Sequence, residues 1–364
     1  MIFNTEYYEV FLPPYVLIGI AVIFSFLVTF FAIPPIVRVA NMKSLTALPN
    51  GRTSHTIPTP NLGGVAIFAG VIVSSVVFTG ITTAHELKYI IAAMLIIFFV
   101  GIKDDLYPLV AYKKFLGQSI AVLFILVPGD FHLSSLHGLL GIGELSYPVS
   151  LAITYILFMA LINSFNLIDG IDGLASGVGF LTSLFFGIVF LLDNHMAYAV
   201  MSFILASSLL AFFYFNVFSK ENKIFLGDTG AMLIGLILAI FAVRFLNFES
   251  DALFLSKSHS APAILLCVLI VPLFDTARVF VLRILRGKSP FEADRTHIHH
   301  RLLDLSGSHL KATSIILSVN ILFIALALVL RNMNTELLIL IALALAAIFS
   351  YIPIYLKRRK TTLR

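Results

Sequence analysis

Residues 163–174 read Asn163-Ser-Phe-Asn166-Leu-Ile-Asp169-Gly170-Ile-Asp172-Gly173-Leu174, with strongly apolar runs on both sides. Four polar side chains recur there at every third position: Asn163, Asn166, Asp169 and Asp172. Because residues three apart lie on one side of a helix, the spacing predicts one polar edge, and Gly170 and Gly173 permit a tight turn. Two amides and two carboxylates are costly in free energy at a membrane boundary unless they bind a ligand. The pattern favours Mg²⁺ carrying a diphosphate; the alternative is a polar cap between two spans.

The composition is that of a membrane protein. Of the 364 residues, 59% are hydrophobic and 12% are charged. A helix needs about 20 apolar residues to cross a bilayer, and many runs approach this length. The single cysteine, Cys267, lies inside one of them, so the chain can form no intramolecular disulfide. No soluble domain, linker or repeat is recognisable, so we predict one polytopic membrane domain over residues 1–364.

We predict an all-α fold with about eleven transmembrane helices. The apolar runs lie at 12–37, 63–81, 87–102, 115–128, 148–165, 174–192, 197–218, 230–247, 261–285, 312–330 and 335–356. Residues 1–10 hold two Glu and no Lys or Arg, unlike the basic start of a secretory signal. We therefore expect an uncleaved N-terminus outside, and an odd number of spans then puts the C-terminus in the cytoplasm.

The basic residues fix this orientation. With the N-terminus outside, 19 of the 24 Lys and Arg fall in inner segments. The outer segments hold only Lys88, Lys257 and Arg331. Cytoplasmic loops of membrane proteins carry such an excess. The rule also explains the net charge of +5 without a nucleic-acid partner, and we expect none.

Five polar motifs then share the inner face. They are Thr59–Gly64, Asp104-Asp105, 163–174, Gly227–Gly230 and 297–300. A transporter or flippase would carry its ionisable groups at mid-membrane. The best candidate for such a group is Asp275, but Arg278 stands three residues later and predicts an ion pair that neutralises both. The pattern favours a site at the cytoplasmic surface over a transport path.

The acidic motifs each allow two interpretations. Asp104 and Asp105 point in different directions on a helix, so one could face a metal–phosphate centre and the other a basic partner or proton; the alternative is a charged helix end. Asp228 starts a span, where it could cap the helix. The same place could instead hold a cation beside free backbone N–H groups that receive a phosphate. Phe225 predicts membrane packing or a face for a nucleobase.

Three histidines lie within four residues at 297–300. His297 and His300 are three apart, so we expect them to share a helix face. They could contact phosphate, bind zinc or lie in a solvated loop; we favour phosphate contacts, since no Cys is near to complete a zinc site.

Together these motifs resemble the polyprenyl-phosphate N-acetylhexosamine-1-phosphate transferases. This integral-membrane family includes the bacterial enzymes that start O-antigen, enterobacterial common antigen, teichoic acid and peptidoglycan lipid intermediates. The resemblance covers nearly the whole chain. It implies transfer of a sugar-1-phosphate, in this case GlcNAc-1-phosphate, from a UDP-sugar to undecaprenyl phosphate with release of UMP. It further implies Mg²⁺ as the cofactor, with Mn²⁺ as a substitute. The active site is expected on the cytoplasmic face of the bacterial inner membrane. A homodimer is left open.

The resemblance also implies roles for individual residues. Asp228 is the expected principal Mg²⁺ ligand, joined by Asn166 and Asp169. Asp104 is expected to be the proton acceptor or nucleophile for the lipid phosphate. Expected catalytic residues are Asp104, Asp105, Asp169, His297, His299 and His300. Expected substrate contacts are Thr59, Asn166, Asp172, Asn216, Phe225 and Arg295. Among these the resemblance assigns Asp172 and Phe225 to the uracil base and Asn216 to the uridine pocket. The interrupted His-Ile-His-His order fits the GlcNAc-type branch better than the alternative, the phospho-MurNAc-pentapeptide transferases.

The charge split predicts a topology that reporter fusions can check. Fusions in 103–114, 219–229 and 286–311 should report a cytoplasmic position, and fusions in 129–147 an external one, because positive loops stay inside. A cytoplasmic 129–147 would overturn the orientation and separate the loops of the predicted site.

Overall fold

A computed structural model describes residues 13–46, 58–79, 86–247, 260–289 and 296–362. Within these ranges the regular elements are thirteen α-helices and one turn of 3₁₀ helix. The first seven helices are α1 Pro14–Met42, α2 Gly63–Phe78, α3 Leu87–Leu106, α4 Ala111–Leu126, α5 Tyr147–Ile168, α6 Leu174–Leu192 and α7 Met196–Val217. The other six are α8 Gly227–Leu246, α9 Ala261–Val268, α10 Ile270–Leu285, α11 Ile298–Ser306, α12 His309–Val329 and α13 Thr335–Thr362.

The predicted all-α membrane class is confirmed. Seven helices are long and apolar enough to cross a membrane: α1, α5, α6, α7, α8, α12 and α13. Counting the bent pair α9–α10 as one span gives eight. The three remaining predicted spans coincide with α2 and α4, each 16 residues long, and with α3, which carries four charged residues. The count of eleven spans and the sides of the two termini therefore stay predictions.

Helix α8 is the central element. It is buried along almost its whole length and packs against α2, α3, α5 and α6. Gly235 lets α5 come close: a Cβ atom there would lie 2.6 Å from the Cα of Ile162 and 2.7 Å from the carbonyl oxygen of Leu161. Since both are backbone atoms, no side-chain rotation could relieve the contact. The position of α8 therefore depends on a glycine at its crossing with α5.

The predicted span 261–285 is broken rather than continuous, with a bend of 79° between α9 and α10. Pro272 has no N–H, so it cannot make the helical bond to the carbonyl of Val268. That carbonyl instead accepts a hydrogen bond from Nδ2 of Asn320 in α12, at 3.2 Å. Because a free carbonyl is costly in an apolar bundle, Asn320 stabilises the bend.

The segment 129–147 lies at the end of the bundle opposite to the start of α8. Asn247, which follows α8, accepts a hydrogen bond from the N–H of Ser134 at 3.0 Å and donates one to the carbonyl of His132 at 2.6 Å. The N–H of Leu133 donates to Thr154 near the start of α5. A 20-residue helix is about 30 Å long, so this segment and residues 227–230 are well separated, as predicted.

Substitution of Gly235 by Ala should destabilise the protein. Overpacking a well-packed interior costs about 1–3 kcal/mol, and here the new methyl group meets backbone. Gly19 in α1 is the matched control, because a Cβ there would have no atom within 4 Å. The measurement is the temperature at which the detergent-purified protein loses its monodisperse gel-filtration peak. Equal midpoints for Gly235→Ala and Gly19→Ala would contradict the close crossing.

Candidate active site

The start of α8 is held by two loops. Gly227, the first residue of α8, has a φ of +72°, and a Cβ there would lie 2.7 Å from Oδ1 of Asp105. The N–H of Gly63 donates to the carbonyl of Phe225, and the N–H of Gly64 to that of Leu226, each at 2.9 Å. The predicted motif 59–64 therefore forms one wall beside the residues that precede α8.

Asp105 caps α8 from a different helix. Its carboxylate accepts hydrogen bonds from the N–H of Asp228 at 2.7 Å, from the N–H of Thr229 at 3.0 Å and from the Thr229 hydroxyl at 2.5 Å. Asn61 also donates to it at 3.3 Å. The prediction that these N–H groups are free for a phosphate is wrong, because the Asp105 carboxylate already bonds them.

Lys114 is the centre of the site, and the sequence prediction missed it. Its Nζ lies 2.9 Å from Oδ2 of Asp104 and 3.2 Å from Oδ1 of Asn166, and it also pairs with Oδ1 of Asp228. The other Asp104 oxygen accepts the N–H of Leu109 at 2.6 Å. Asp104 thus faces a basic partner, which is one of the two arrangements predicted for the acidic pair. The available signal was a lysine shortly after an acidic pair in the sequence. The charge analysis treated Lys114 only as one of the positive residues of an inner loop.

Asn166 and Asp169 adjoin this cluster from the end of α5. Nδ2 of Asn166 donates to Oδ1 of Asp228. The predicted single polar edge is wrong, because α5 ends at Ile168 and Asp169 follows the helix. Asn163, one turn away from the site, donates to Gln118 instead.

Asp169 is the carboxylate most in need of a cation. In the described part of the chain it has no hydrogen bond or ion pair. Burial raises its pKa well above the ordinary value, and the carboxylates of Asp228, Asp105 and Asp172 raise it further. A divalent cation between Asp169 and Asp228 would relieve this repulsion, and hard cations prefer such oxygen ligands. The residues present therefore fit Mg²⁺.

Asp172 belongs to a second cluster of charged side chains. Its Oδ2 pairs with Nζ of Lys223 at 2.7 Å, and Nδ1 of His309 lies 3.6 Å away. The Lys223 ammonium in turn lies 6.0 Å from the centre of the Phe225 ring. The two predicted nucleobase contacts, Asp172 and Phe225, are thus joined by a lysine that was not predicted.

Asn216 is buried and ties two loops together. Its Oδ1 accepts the N–H of Gly173 at 2.6 Å, and its Nδ2 donates to the carbonyl of Ile224 at 2.8 Å. Both ends of the amide are therefore bonded to backbone. The structure places Asn216 as a brace between the turn before α6 and the segment before α8, and the predicted uridine contact stays a prediction.

The histidine segment is anchored by Asp275. The predicted pair with Arg278 is confirmed at 2.6 Å, and Nδ1 of His297 lies 2.9 Å from the other Asp275 oxygen. The N–H of Ile298 donates to the same carboxylate at 3.2 Å. The expectation that His297 and His300 share a helix face is wrong, because α11 begins at Ile298 and His297 turns to α10.

His299 joins the histidine segment to residues 163–174. A Cβ on Gly170 would lie 2.9 Å from Cδ2 of His299, so the ring packs against a glycine that it requires. Burial and the neighbouring His300 hold the pKa of His299 well below its ordinary value, so the ring is neutral near pH 7. Within the described ranges, Nε2 of His297 and Nε2 of His299 are both buried and have no hydrogen-bond partner.

Three buried side chains here could hold a metal ion, since ligand atoms of Asp275, His297 and His299 lie within 4.8 Å of one another. Arg278 already supplies a positive charge to the Asp275 carboxylate, which opposes a second cation there. The burial of His297 and His299 also argues against a solvated loop, so we retain phosphate contacts as the preferred role.

Two further predicted substrate contacts lie elsewhere. Thr59 is buried in the segment 59–64 beside the start of α8, and Arg295 lies outside the described residues.

Residues 87–246 match the family described as glycosyl transferase family 4. The chain is 33% identical over 320 residues to the probable undecaprenyl-phosphate N-acetylglucosaminyl 1-phosphate transferase of Bacillus subtilis, covering 86% of this chain and 85% of that protein. It is 32% identical over 312 residues to the decaprenyl-phosphate N-acetylglucosaminephosphotransferase of Mycobacterium tuberculosis, covering 80% and 76%. Against the undecaprenyl-phosphate alpha-N-acetylglucosaminyl 1-phosphate transferase of Escherichia coli K12, identity is 30% over 274 residues, covering 73% and 71%. The family match runs from the start of α3 to the end of α8 and so contains the Lys114 cluster.

Proposed function

The chain belongs to glycosyl transferase family 4, and we propose that it transfers N-acetylglucosamine-1-phosphate from UDP-N-acetylglucosamine to undecaprenyl phosphate, releasing UMP. The names of its relatives supply the sugar and the acceptor class. One observation carries the proposal: Lys114 is bonded to Asp104, Asn166 and Asp228 beside the unpaired carboxylate of Asp169. This arrangement has a fixed positive charge, the Lys114 ammonium, and oxygen atoms that can bind a metal ion, both of which a diphosphate requires.

Phosphoryl transfer depends on in-line positioning and neutralised charge more than on covalent help from the protein. Asp169 and Asp228, with the amide oxygen of Asn166, would hold Mg²⁺ (or Mn²⁺), which when bound offsets the charge of the diphosphate. Lys114 adds a fixed positive charge next to those ligands. From the histidine segment, Nε2 of His299, which has no hydrogen-bond partner within the described ranges, would donate a hydrogen bond to a phosphate oxygen. His297 would keep the segment in place through its contact with Asp275.

The acceptor phosphate needs little activation. A phosphate monoester with a second pKa near 6 is mostly dianionic at pH 7. Both oxygens of Asp104 are already bonded, to Lys114 and to the N–H of Leu109, which leaves them poorly placed to form a covalent intermediate. We therefore favour the direct route: an acceptor oxygen attacks the β-phosphorus, the bond to the bridging oxygen breaks, and UMP leaves with that oxygen. The alternative is a two-step route through phosphorylated Asp104.

The charge split among the loops supports a site on the cytoplasmic face of a bacterial inner membrane, since the Lys114 cluster and the start of α8 lie at one end of the bundle. A transporter is less favoured, because Asp275, the acid deepest in a predicted span, is paired with Arg278. The phospho-MurNAc-pentapeptide reaction is less favoured because the relatives reported above are named for N-acetylglucosamine. A homodimer stays a prediction.

Release of UMP tests the function directly. Purified protein, Mg²⁺ and undecaprenyl phosphate should release UMP from UDP-N-acetylglucosamine faster than from UDP-N-acetylgalactosamine or UDP-MurNAc-pentapeptide, and no UMP should form without the lipid. Preferred use of the pentapeptide substrate would move the chain to the peptidoglycan reaction. Failure with every UDP-sugar would refute the transferase.

Asp228→Asn should lower turnover by about 10²–10³-fold, because the expected Mg²⁺ would lose a charged ligand and would be less able to stabilise the charge on the transferring phosphate. The amide keeps the shape of the side chain, so the protein should fold. The Mg²⁺ concentration for half-maximal activity should rise. Asp130→Asn is the control, since its side chain is 77% exposed at the opposite end of the bundle. Near-normal turnover of Asp228→Asn at ordinary Mg²⁺ would show that the Asp228 charge is not needed to bind the metal.

Asp104→Asn separates the two chemical routes. In the direct route it should retain slow turnover that improves as pH rises past 6, because the acceptor phosphate supplies its own charge. General-base help contributes about 10²–10⁴-fold, which bounds the loss. In the two-step route no activity survives at any pH, and wild-type enzyme exchanges labelled UMP into UDP-sugar without acceptor. Such exchange, absent from Asp104→Asn, would refute the direct route.

A further inference from the structure

A second layer of side chains lies one helical turn below the Lys114 cluster. Three helices supply both layers: Lys114 and Gln118 on α4, Asn166 and Asn163 on α5, Asp228 and Met232 on α8. Each pair is three or four residues apart, so its members lie on the same helix face.

The lower layer has its own interhelical bonds. Nδ2 of Asn163 donates to Oε1 of Gln118 at 3.0 Å, and Nε2 of Gln118 donates to Sδ of Met232 at 3.1 Å. Gln118 and Met232 are fully buried. One amide on α4 thus contacts α5 and α8, two of the three helices that Lys114 reaches in the layer above.

Helix α4 packs chiefly against α3, where a Cβ on Gly117 would lie 2.5 Å from Cγ2 of Val100, and its buried contacts towards α5 and α8 begin only below Lys114. Its buried residues are Gln118, Ala121, Val122, Ile125 and Leu126. Gln118 is therefore the first buried residue of the helix, and the turn that carries Lys114 has none. Its aromatic neighbours Tyr112 and Phe115 are exposed. The position of the Lys114 ammonium relative to α5 and α8 therefore depends on the residue one turn below it.

We propose that Gln118 is a positioning residue, which sets the register of α4 against α5 and α8 and so places the Lys114 ammonium between Asp104, Asn166 and Asp228. This inference rests on the proposed transferase function. A single hydrogen bond between membrane helices contributes too little free energy to determine folding. A 1 Å displacement of a catalytic group, however, can cost about 10²-fold in rate. Loss of Gln118 should therefore affect turnover far more than stability.

Gln118→Met keeps an unbranched side chain of similar length and removes both amide bonds. We expect kcat to fall about 10- to 100-fold, with a KM for the UDP-sugar within threefold and an unchanged unfolding midpoint. The matched control is Tyr155→Phe, which removes another α4–α5 hydrogen bond, Ser119 to Tyr155 at 2.7 Å, that does not lie beneath the site. It should leave kcat unchanged. Asn163→Leu removes the Gln118 contact from the α5 side and serves if Gln118→Met fails to fold.

A double-mutant cycle shows whether Gln118 acts through Lys114. In a Lys114→Arg background, Gln118→Met should lower kcat less than twofold further, since the group that it positions has already been replaced. A purely structural role would give losses that multiply. Full multiplication, or a Gln118→Met enzyme within twofold of wild-type kcat, would overturn the proposal.

A measurement without substrates keeps this inference separate from the proposed function. Spin labels at Leu116 of α4 and Leu210 of α7, both on exposed faces, report the position of α4 by electron–electron distance. Gln118→Met should shift or broaden the distance distribution and Tyr155→Phe should not. If wild-type protein releases no UMP, the transferase fails while this result still decides the register role. An unchanged distribution in Gln118→Met would refute it.

Discussion

The bond between the Asp105 carboxylate and the first turn of α8 is the contact on which the site depends. The first N–H groups of a helix have no partner within that helix, so another group must satisfy them. Asp105 does so from α3. The approach is close because both helices carry glycine: a Cβ on Gly101 would lie 2.9 Å from the nitrogen of Thr229. Once α3 and α8 are joined in this way, the adjacent Asp104 points elsewhere, towards Lys114.

The site around Lys114 carries more negative than positive charge. Asp104 and Asp228 pair with Lys114, whereas Asp169, which lies near Asp228 and Asp105, has no ion pair within the described part of the chain. Lys114 cannot offset three carboxylates, so the cluster attracts a further cation, and with that cation it can accept a diphosphate. The histidine segment differs, because Asp275 there is matched by Arg278 and backbone N–H groups. One part of the site therefore attracts a metal ion, and the other presents the neutral imidazole of His299.

The sequence was sufficient for the class of protein and for the convergence of its motifs. Apolar runs and charged loops have local signatures, and the i,i+3 pair of Asp275 and Arg278 is local as well. The roles of Lys114 and Asp105 were not predictable, since each depends on a partner more than 50 residues away in the chain. The end of α5 was missed because the polar periodicity continues through Asp169 and Asp172 after the helix has stopped. The bend at Leu269 had a signal in Pro272, which an apolar run concealed.

The closed far end of the bundle has a consequence for the direction in which a lipid travels. Segment 129–147 fastens α5 and α8 together there, and from Met232 to Val243 α8 presents an unbroken series of buried apolar residues and one glycine. A phosphate group at the site end meets no polar path along the central helix. A lipid acceptor must therefore enter and leave sideways, through the leaflet next to the site. In the proposed transfer its product would stay in that leaflet, on the side of the membrane where the sugar was added.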